Sequence, residues 1–545
     1  MMTDFLKSPF RSTVWLVGIV FLVFSCFLRP NKIETEIIMN DSVRLSTNVY
    51  IPKSKGKYPT ILLRTPYNKE IESLVGDAFG IKGIAVVIQD VRGKYKSGGE
   101  FYPFINERED GLKTLKWIRN ESWSNGVVCG WGTSYCGFTQ WAISDSLDFL
   151  VPLLAGADIY DFMYPDGLFS LQSAFIWGLT NASRTSNDIS QDKLKKSFSM
   201  LPLSIADDST IQDISYINDW LAHESDDAYW GKMNHRGLGR APVLSIAGWY
   251  DIFLKTQIED FQFLATNEHP DSHLVIGPFC HGTQGIENDY GGRKKTGNPL
   301  KIFLYTAKKV KGKKIKLPSP LKDKKYNLFI MGRNEYFGSD NWPPHESHRI
   351  SYYLGPDNHF STEKYPSDGL LIFDYDPMDP YPSFGGTALG DKVGPAEQND
   401  NTNRTDQVNF ETNILDEPMI LLGPVSASLW LSGNTPCTDI IVCLQDVFPD
   451  GKIINIQEGG AKVQLIEENP TKYDISVWAT GYQLDTGHKL RVAITSSWFP
   501  RYNRNLNNCS PIADAVESVK ARQVVYYGPE TPSCINLPVL ELKNR

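Results

Sequence analysis

Apolar and polar residues along the chain fall into three textures. From residue 35 to about 145, short apolar runs alternate with helically spaced segments. "YPTILLRTPY" and "GIAVVIQDVRG" are apolar runs bounded by turn residues, as strands buried on both faces should be. "INEREDGLKTLKWIRN" carries Leu112, Leu115 and Ile118 at helical spacing, and "GVVCGWGTSYCG" reads as strand, turn and helix start. The alternation predicts a parallel sheet with right-handed crossovers, the first part of an α/β core over 35–145. Between about 146 and 240 the runs "LFSLQSAFIWGLTNAS" and "SYINDWLAHESDDAYWGKM" predict helices with aromatic faces and no clear strand, a helical cap inserted into that core. Strand signals return in "APVLSIAGWYDIF" and "SHLVIGPFCHG", the second part of the core over 241–345. Over 346–545 short runs such as "MILLGPVSASLWLSG" and "HKLRVAITSSWFPRY" are separated by Gly, Pro, Asn and Asp, which predicts an antiparallel sandwich or jelly roll.

Composition narrows the function. At 545 residues the chain exceeds what one hydrophobic core spans, in keeping with this division. Lys and Arg total 55 against 63 Asp and Glu, a net charge of −8, with no basic run beyond a short one at 308–316, so a nucleic-acid-binding surface is not expected. The segment 1–34 differs in kind. Lys7 and Arg11 precede an uncharged apolar stretch from Val14 to Leu28, about 22 Å long as a helix and short of a roughly 30 Å hydrocarbon core. That length suits a cleaved signal peptide, a lipoprotein leader with Cys26 as the lipidated residue, or an uncleaved membrane anchor. Each of these places the bulk of the chain outside the cytoplasm, secreted or attached to the membrane through the N-terminus; a hydrophobic tail on a cytosolic protein is the remaining alternative. Eight cysteines do not make a disulfide scaffold in this length. Cys129, Cys136 and Cys280 read as buried thiols, while Cys437, Cys443, Cys509 and Cys534 are candidates for pairing whose connectivity spacing does not decide. No metal-binding spacing appears, and neither a metal nor a cofactor is expected.

The chemistry is carried by residues at the ends of three predicted strands. Ser134 lies in "GWGTSYCGF", Asp251 in "GWYDIF" and His281 in "GPFCHG". Their chain order is the one an α/β-hydrolase fold imposes on its triad. In such a triad His281 takes the proton from the Ser134 hydroxyl, and Asp251 holds the imidazole tautomer and stabilises its charged form. Gly132 and Gly137 supply the room a sharp elbow needs.

Several motifs together make the resemblance specific. "GTSYCG" at 132–137 is similar to the G-x-S-Y-x-G nucleophile motif of the family that holds cocaine esterase, α-amino-acid ester hydrolases and X-prolyl dipeptidyl peptidases. Cys136 stands where that family commonly has a larger apolar residue. "RTPYNK" at 64–69, "QDVRGKYKSGGEFYPF" at 89–104, "GWYDIF" and "GPFCHG" resemble further family segments, and "YDPMDPYPSFGG", "LQDVFPDGK" and "SSWFPRYNRN" resemble its C-terminal jelly roll, of galactose-binding-like type. The resemblance runs from about 35 to the end. It implies an α/β-hydrolase core with an inserted helical cap and a C-terminal β jelly roll, and a serine hydrolase that cleaves a small-molecule ester or amide through an acyl-enzyme. It also implies an oxyanion hole made by the Tyr67 hydroxyl and the Tyr135 backbone N–H. The alternatives are a proline-specific dipeptidyl peptidase and a carbohydrate-binding surface protein with an inert hydrolase domain. Members that select a free α-amino group place carboxylates just past the catalytic aspartate, where this chain has Ile252 and Phe253; Asp161 and Asp166 are the remaining candidates for that role.

Overall fold

The structure is a computed structural model that describes residues 29–265, 271–281, 289–465 and 469–542. Its core is a ten-stranded sheet in the order β1-β2-β4-β3-β5-β6-β7-β8-β9-β10. The strands are β1 (Asn31–Ile38), β2 (Arg44–Ile51), β3 (Tyr58–Thr65), β4 (Ala85–Asp90), β5 (Ser124–Thr133), β6 (Phe149–Leu153), β7 (Leu244–Tyr250), β8 (His273–Cys280), β9 (Tyr326–Ile330) and β10 (Glu335–Ser339). From β4 to β9 neighbouring strands pair in parallel, whereas β1, β2 and β10 add antiparallel edges. β3 and β4 are buried along their whole length, which is why they read as continuous apolar runs rather than alternations. The helices Ser73–Ile81 and Glu107–Asn120 make the crossovers that lead into β4 and β5.

Two expected boundaries move. The core begins at Asn31, inside the stretch 1–34 that read as leader or anchor, because β1 is a mostly exposed edge strand without a hydrophobic signature. The apolar segment 14–28 and Cys26 lie outside the described residues, and among the described residues no helix is long and apolar enough to cross a membrane. The second shift is at β6. It falls inside 146–240, where no strand was expected, yet it sits in the middle of the sheet between β5 and β7. "FLVPL" is short, buried at every position and therefore without alternation, and its Pro152 argues against a central strand. The ladder tolerates that proline because β6 pairs with β7 in register only at Leu153↔Ile246, with a further bridge between Leu150 and Val243.

Between β6 and β7 the cap is helical. Its longer helices, Leu171–Asn181, Gln191–Ser199 and Ser215–Ala222, bury Phe175, Phe198, Tyr216 and Trp220 in an aromatic cluster shared with Tyr135 and Phe138 of the core. Beyond the core the chain forms two antiparallel sheets, the β jelly roll. The seven-stranded sheet includes β15 (Met419–Gly433), β18 (Thr471–Leu484), β20 (Ala521–Tyr527) and β21 (Cys534–Leu540), and the four-stranded sheet runs β14 (Gln407–Glu411), β19 (Lys489–Thr495), β16 (Thr438–Val447) and β17 (Ile453–Val463).

The jelly roll touches the core where β7 ends. Trp249 is fully buried and donates from Nε1 to the Phe329 carbonyl (2.6 Å), while Gln457 Nε2 donates to the Trp249 carbonyl (3.1 Å). Gly481 permits this approach, since a Cβ there would stand 2.5 Å from the Phe329 oxygen. The last residues of β7 are therefore clamped from both sides.

One disulfide joins Cys437 to Cys509 across 72 residues. Cys443 and Cys534, equally open to pairing by sequence, are buried thiols, as are Cys129 and Cys136. The bridge ties the turn before β16 to the loop that reaches the cap through Ile512 N–H, which donates to Glu224 (2.8 Å). Replacing both cysteines by serine should lower unfolding free energy by roughly 2–4 kcal/mol, read as a fall in denaturant midpoint, and non-reducing peptide mapping of the native protein should recover the Cys437–Cys509 cross-link. A map in which both are reduced would remove the bridge.

Candidate active site

The turn after β5 is built around one strained residue. Ser134 has φ 58° and ψ −129°, a conformation that projects its side chain from the turn between Thr133 and the helix Tyr135–Trp141. Such backbone costs on the order of 1–3 kcal/mol and persists only where surroundings hold it. Here the Ser134 N–H donates to the Leu153 carbonyl of β6 (2.9 Å), and its own carbonyl accepts from Gly137 N–H (2.7 Å) and Phe138 N–H (3.1 Å). The strand that sequence reading missed thus anchors the serine. A Cβ on Gly132 would lie 2.4 Å from the Cys136 Cβ, and one on Gly137 would lie 2.3 Å from the Ala155 Cβ. The glycines are there because backbone passes too close for anything larger.

β7 and β8 deliver the other two residues to the same edge of the sheet. Asp251 follows β7 and is fully buried. Its Oδ1 accepts from Phe253 N–H (2.9 Å), which starts the helix Leu254–Ala265, and its Oδ2 accepts from His281 Nδ1 (2.8 Å). His281 follows β8, and its Nε2 stands 2.9 Å from Ser134 Oγ. Both bonds are satisfied when Nδ1 carries the proton and donates to Asp251, leaving Nε2 to accept from the serine hydroxyl. The Phe253 ring lies edge-on to the imidazole at 5.4 Å and shields it.

Tyr67 and Tyr135 converge on the same serine. Tyr67 sits in the loop after β3, where its N–H donates to Thr65 Oγ1 (3.0 Å). Its hydroxyl lies beside the Ser134 side chain and the Tyr135 backbone N–H, and burial pushes the phenol up to about 12, so it stays a neutral donor at neutral pH. The Tyr135 ring is fixed separately. Its hydroxyl donates to Glu107 Oε1 (2.7 Å) and accepts from Phe104 N–H (2.9 Å). Burial pushes the Glu107 carboxyl up against the opposing pull of Arg64, whose Nη1 stands 2.7 Å from Oε2.

Sequence reading missed two contributors. Trp177, on the cap helix Leu171–Asn181, donates from Nε1 to the Tyr67 hydroxyl (3.0 Å). Its position in "LQSAFIWGLTN" marks it only as a helix aromatic. Glu107 reads as an acid in a helix first turn, an ordinary place for one. The acids considered for an ammonium group are already paired. Asp161 binds Arg236 (2.5 Å), which also meets Glu259 (3.0 Å) and Asp260 (2.8 Å), and Asp166 Oδ1 accepts from Lys255 Nζ (2.9 Å). Among the described residues no group of three or more His, Cys, Asp and Glu is placed to hold a metal ion.

Known proteins share this architecture. The family model of the X-Pro dipeptidyl-peptidase (S15 family) matches residues 41–283, and that of the X-Pro dipeptidyl-peptidase C-terminal non-catalytic domain matches residues 322–536. Cocaine esterase from Rhodococcus sp. (strain MB1 Bresler) is 30% identical in an alignment covering 92% of this chain and 97% of that protein. Among solved structures, an aminopeptidase from the marine sediment archaeon Thaumarchaeota archaeon superposes with a TM-score of 0.79 at 23% identity, covering 95% of this chain and 97% of the other. An α-amino acid ester hydrolase superposes with a TM-score of 0.78 at 22% identity, covering 94% and 97%.

The elbow can be tested without touching the reacting groups. Gly137→Ala puts a methyl group against Ala155 and must move the turn. Because displacement by about 1 Å can cost 10²-fold in rate, its fluorophosphonate labelling should slow by about that factor. Gly231→Ala, where a Cβ meets nothing within 4 Å, is the control and should label at the wild-type rate. Equal labelling of the two variants would mean that the close packing at Gly137 does not set the serine's position.

Proposed function

The chain belongs to the X-Pro dipeptidyl-peptidase (S15) family of serine hydrolases, and on that premise we propose that Ser134, His281 and Asp251 cleave the ester bond of a small-molecule substrate through an acyl-enzyme. The observation that carries this reading is the continuous path from Asp251 through His281 to Ser134, with bonds of 2.8 and 2.9 Å, on a serine whose side chain lies beside the Tyr67 hydroxyl.

In the first half-reaction Ser134 Oγ attacks the carbonyl carbon while His281 Nε2 takes its proton. The carbonyl oxygen becomes an oxyanion that accepts from the Tyr67 hydroxyl and the Tyr135 N–H. These donors are fixed before reaction, so they bind the developing charge more tightly than the ground-state carbonyl. Asp251 stabilises the imidazolium. His281 then protonates the leaving alcohol, and the acyl group stays on Ser134. In the second half-reaction His281 draws a proton from water as its oxygen attacks the acyl carbon, the bond from that carbon to Ser134 Oγ breaks to release the acid, and His281 returns the proton to Oγ.

Two features support an ester without a required α-amino group. Ile252 and Phe253 follow the aspartate, and Asp161 and Asp166 each already meet a cation of this chain, Arg236 and Lys255, with Arg236 shared among Asp161, Glu259 and Asp260. Xaa-Pro amides are the competing substrate class, supported by the description of the matching family model. The disulfide and the uncharged stretch 14–28 together support a location outside the cytoplasm, where disulfides persist.

Ser134→Ala should lose turnover by on the order of 10⁶ in kcat, together with all fluorophosphonate labelling; labelling that survives at another serine would move the nucleophile. A panel of p-nitrophenyl esters, amino-acid esters and Xaa-Pro anilides should show highest kcat/KM on the unsubstituted esters, and a preference for Xaa-Pro anilides would favour the peptidase.

Tyr67→Phe should lower kcat by about 10² to 10³ with KM nearly unchanged, since the hydroxyl meets charge that exists only in the transition state. A folded variant with wild-type kcat on a substrate whose acylation limits the rate would take Tyr67 out of the oxyanion hole.

A further inference from the structure

We propose that Trp177 is a positioning residue of the oxyanion hole, through which the cap orients the Tyr67 hydroxyl on the core. This rests on the assignment of Tyr67 and Tyr135 made above and extends it to a residue that does not meet the reacting atoms.

An indole N–H can donate but not accept, so the bond from Trp177 Nε1 to the Tyr67 oxygen has only one sense. It occupies an acceptor position of the phenol and leaves the phenolic proton to be directed elsewhere. Ser134 and the Tyr135 backbone are the other groups beside that hydroxyl, and of these the serine oxygen is the one able to accept. Donation into the phenol oxygen also polarises the O–H, making it the stronger donor to a developing oxyanion. The same indole lies nearly parallel to the Tyr135 ring, with centroids 5.7 Å apart and 5° between planes. One side chain therefore aims the hydroxyl donor and packs flat against the residue that carries the backbone donor.

The helix that presents Trp177 is itself held. Asn181 Nδ2 donates to the Trp177 carbonyl (2.9 Å), and the buried Lys94 Nζ donates to the Asn181 carbonyl (3.0 Å), tying the helix end to the core. At the other end Gln172 Nε2 donates to the Leu389 carbonyl (2.8 Å), while Ser173 Oγ accepts from the Leu389 N–H (3.1 Å). Core and C-terminal region thus both hold the helix that aims Tyr67.

A residue that acts only through the Tyr67 hydroxyl has no effect once that hydroxyl is gone. A residue that lines the substrate pocket or supports the fold keeps its effect. The test is a double-mutant cycle of wild type, Trp177→Phe, Tyr67→Phe and the double variant, measured as acylation rate on p-nitrophenyl acetate and p-nitrophenyl butyrate. Trp177→Phe should slow acylation about 3- to 10-fold, the range of one hydrogen bond, with KM within about two-fold. On the Tyr67→Phe background the same substitution should change the rate by less than about two-fold. Trp177→benzothienylalanine, which keeps the bicyclic ring and removes only the N–H, should reproduce the loss and serves where phenylalanine disturbs folding. Equal costs of Trp177→Phe in both backgrounds, or wild-type acylation with benzothienylalanine, would overturn the proposal. A wild-type rate for Tyr67→Phe alone would instead defeat the oxyanion assignment and this inference with it, while Ser134 still labels.

Discussion

A single peptide turn, in which a serine with a side chain is held at positive φ, constrains the rest of this molecule. Ser134 can adopt φ 58° only because Gly132 and Gly137 leave no methyl groups in the space taken by Cys136 and Ala155, and because Leu153 of β6 receives its N–H. That constraint explains the small residues on both sides of the serine and the placement of a proline-containing strand beside it.

Around the turn, charge is buried for geometry rather than for chemistry. Arg64 and Lys69 flank Tyr67 in "RTPYNK", and both are almost fully buried. Arg64 meets Glu107 (2.7 Å), and Asp90 accepts from the Lys69 N–H (2.7 Å) with its other oxygen 3.6 Å from Nζ. Arg92 joins Asp110 (2.7 Å) to the exposed Asp41 (2.5 Å). Desolvating such groups costs about as much as their attraction returns, so they add little net stability. What they do provide is direction: a loop whose ends are pinned by buried ion pairs cannot drift, and Tyr67 hangs from that loop. Glu107 does the same for the Tyr135 ring.

The cap and the jelly roll finish the positioning from outside the core. The nearly buried Arg501 of "SSWFPRYNRN" stacks over Trp478 and Tyr502, and its Nε donates to Thr387 Oγ1 (3.0 Å), two residues from the Leu389 that grips the cap helix. Trp249 and Gln457 hold the end of β7, two residues before Asp251. The Tyr67 hydroxyl and the end of β7 therefore each have a support that lies far away in the chain.

The division into α/β core, helical insertion and β-rich C-terminal part is legible in the residue pattern, as are Ser134, Asp251 and His281, because apolar runs ending in turn residues are local patterns. The sequence also carried Tyr67 and Tyr135, through motifs whose resemblance reaches beyond local pattern. Only the tertiary structure decided what depends on distant partners. β6 was hidden because it is only five residues long and carries Pro152, and β1 because an exposed edge erases apolar character. Trp177 and Tyr67 meet across 110 residues, and Glu107 and Tyr135 across 28. Asp161 and Asp166 looked available for a ligand until folding brought Arg236 and Lys255 beside them, and four cysteines were equivalent until folding placed Cys437 next to Cys509. The physical reason is common to all: a hydrogen bond or ion pair is fixed by distance in space, whereas composition and periodicity record only distance along the chain.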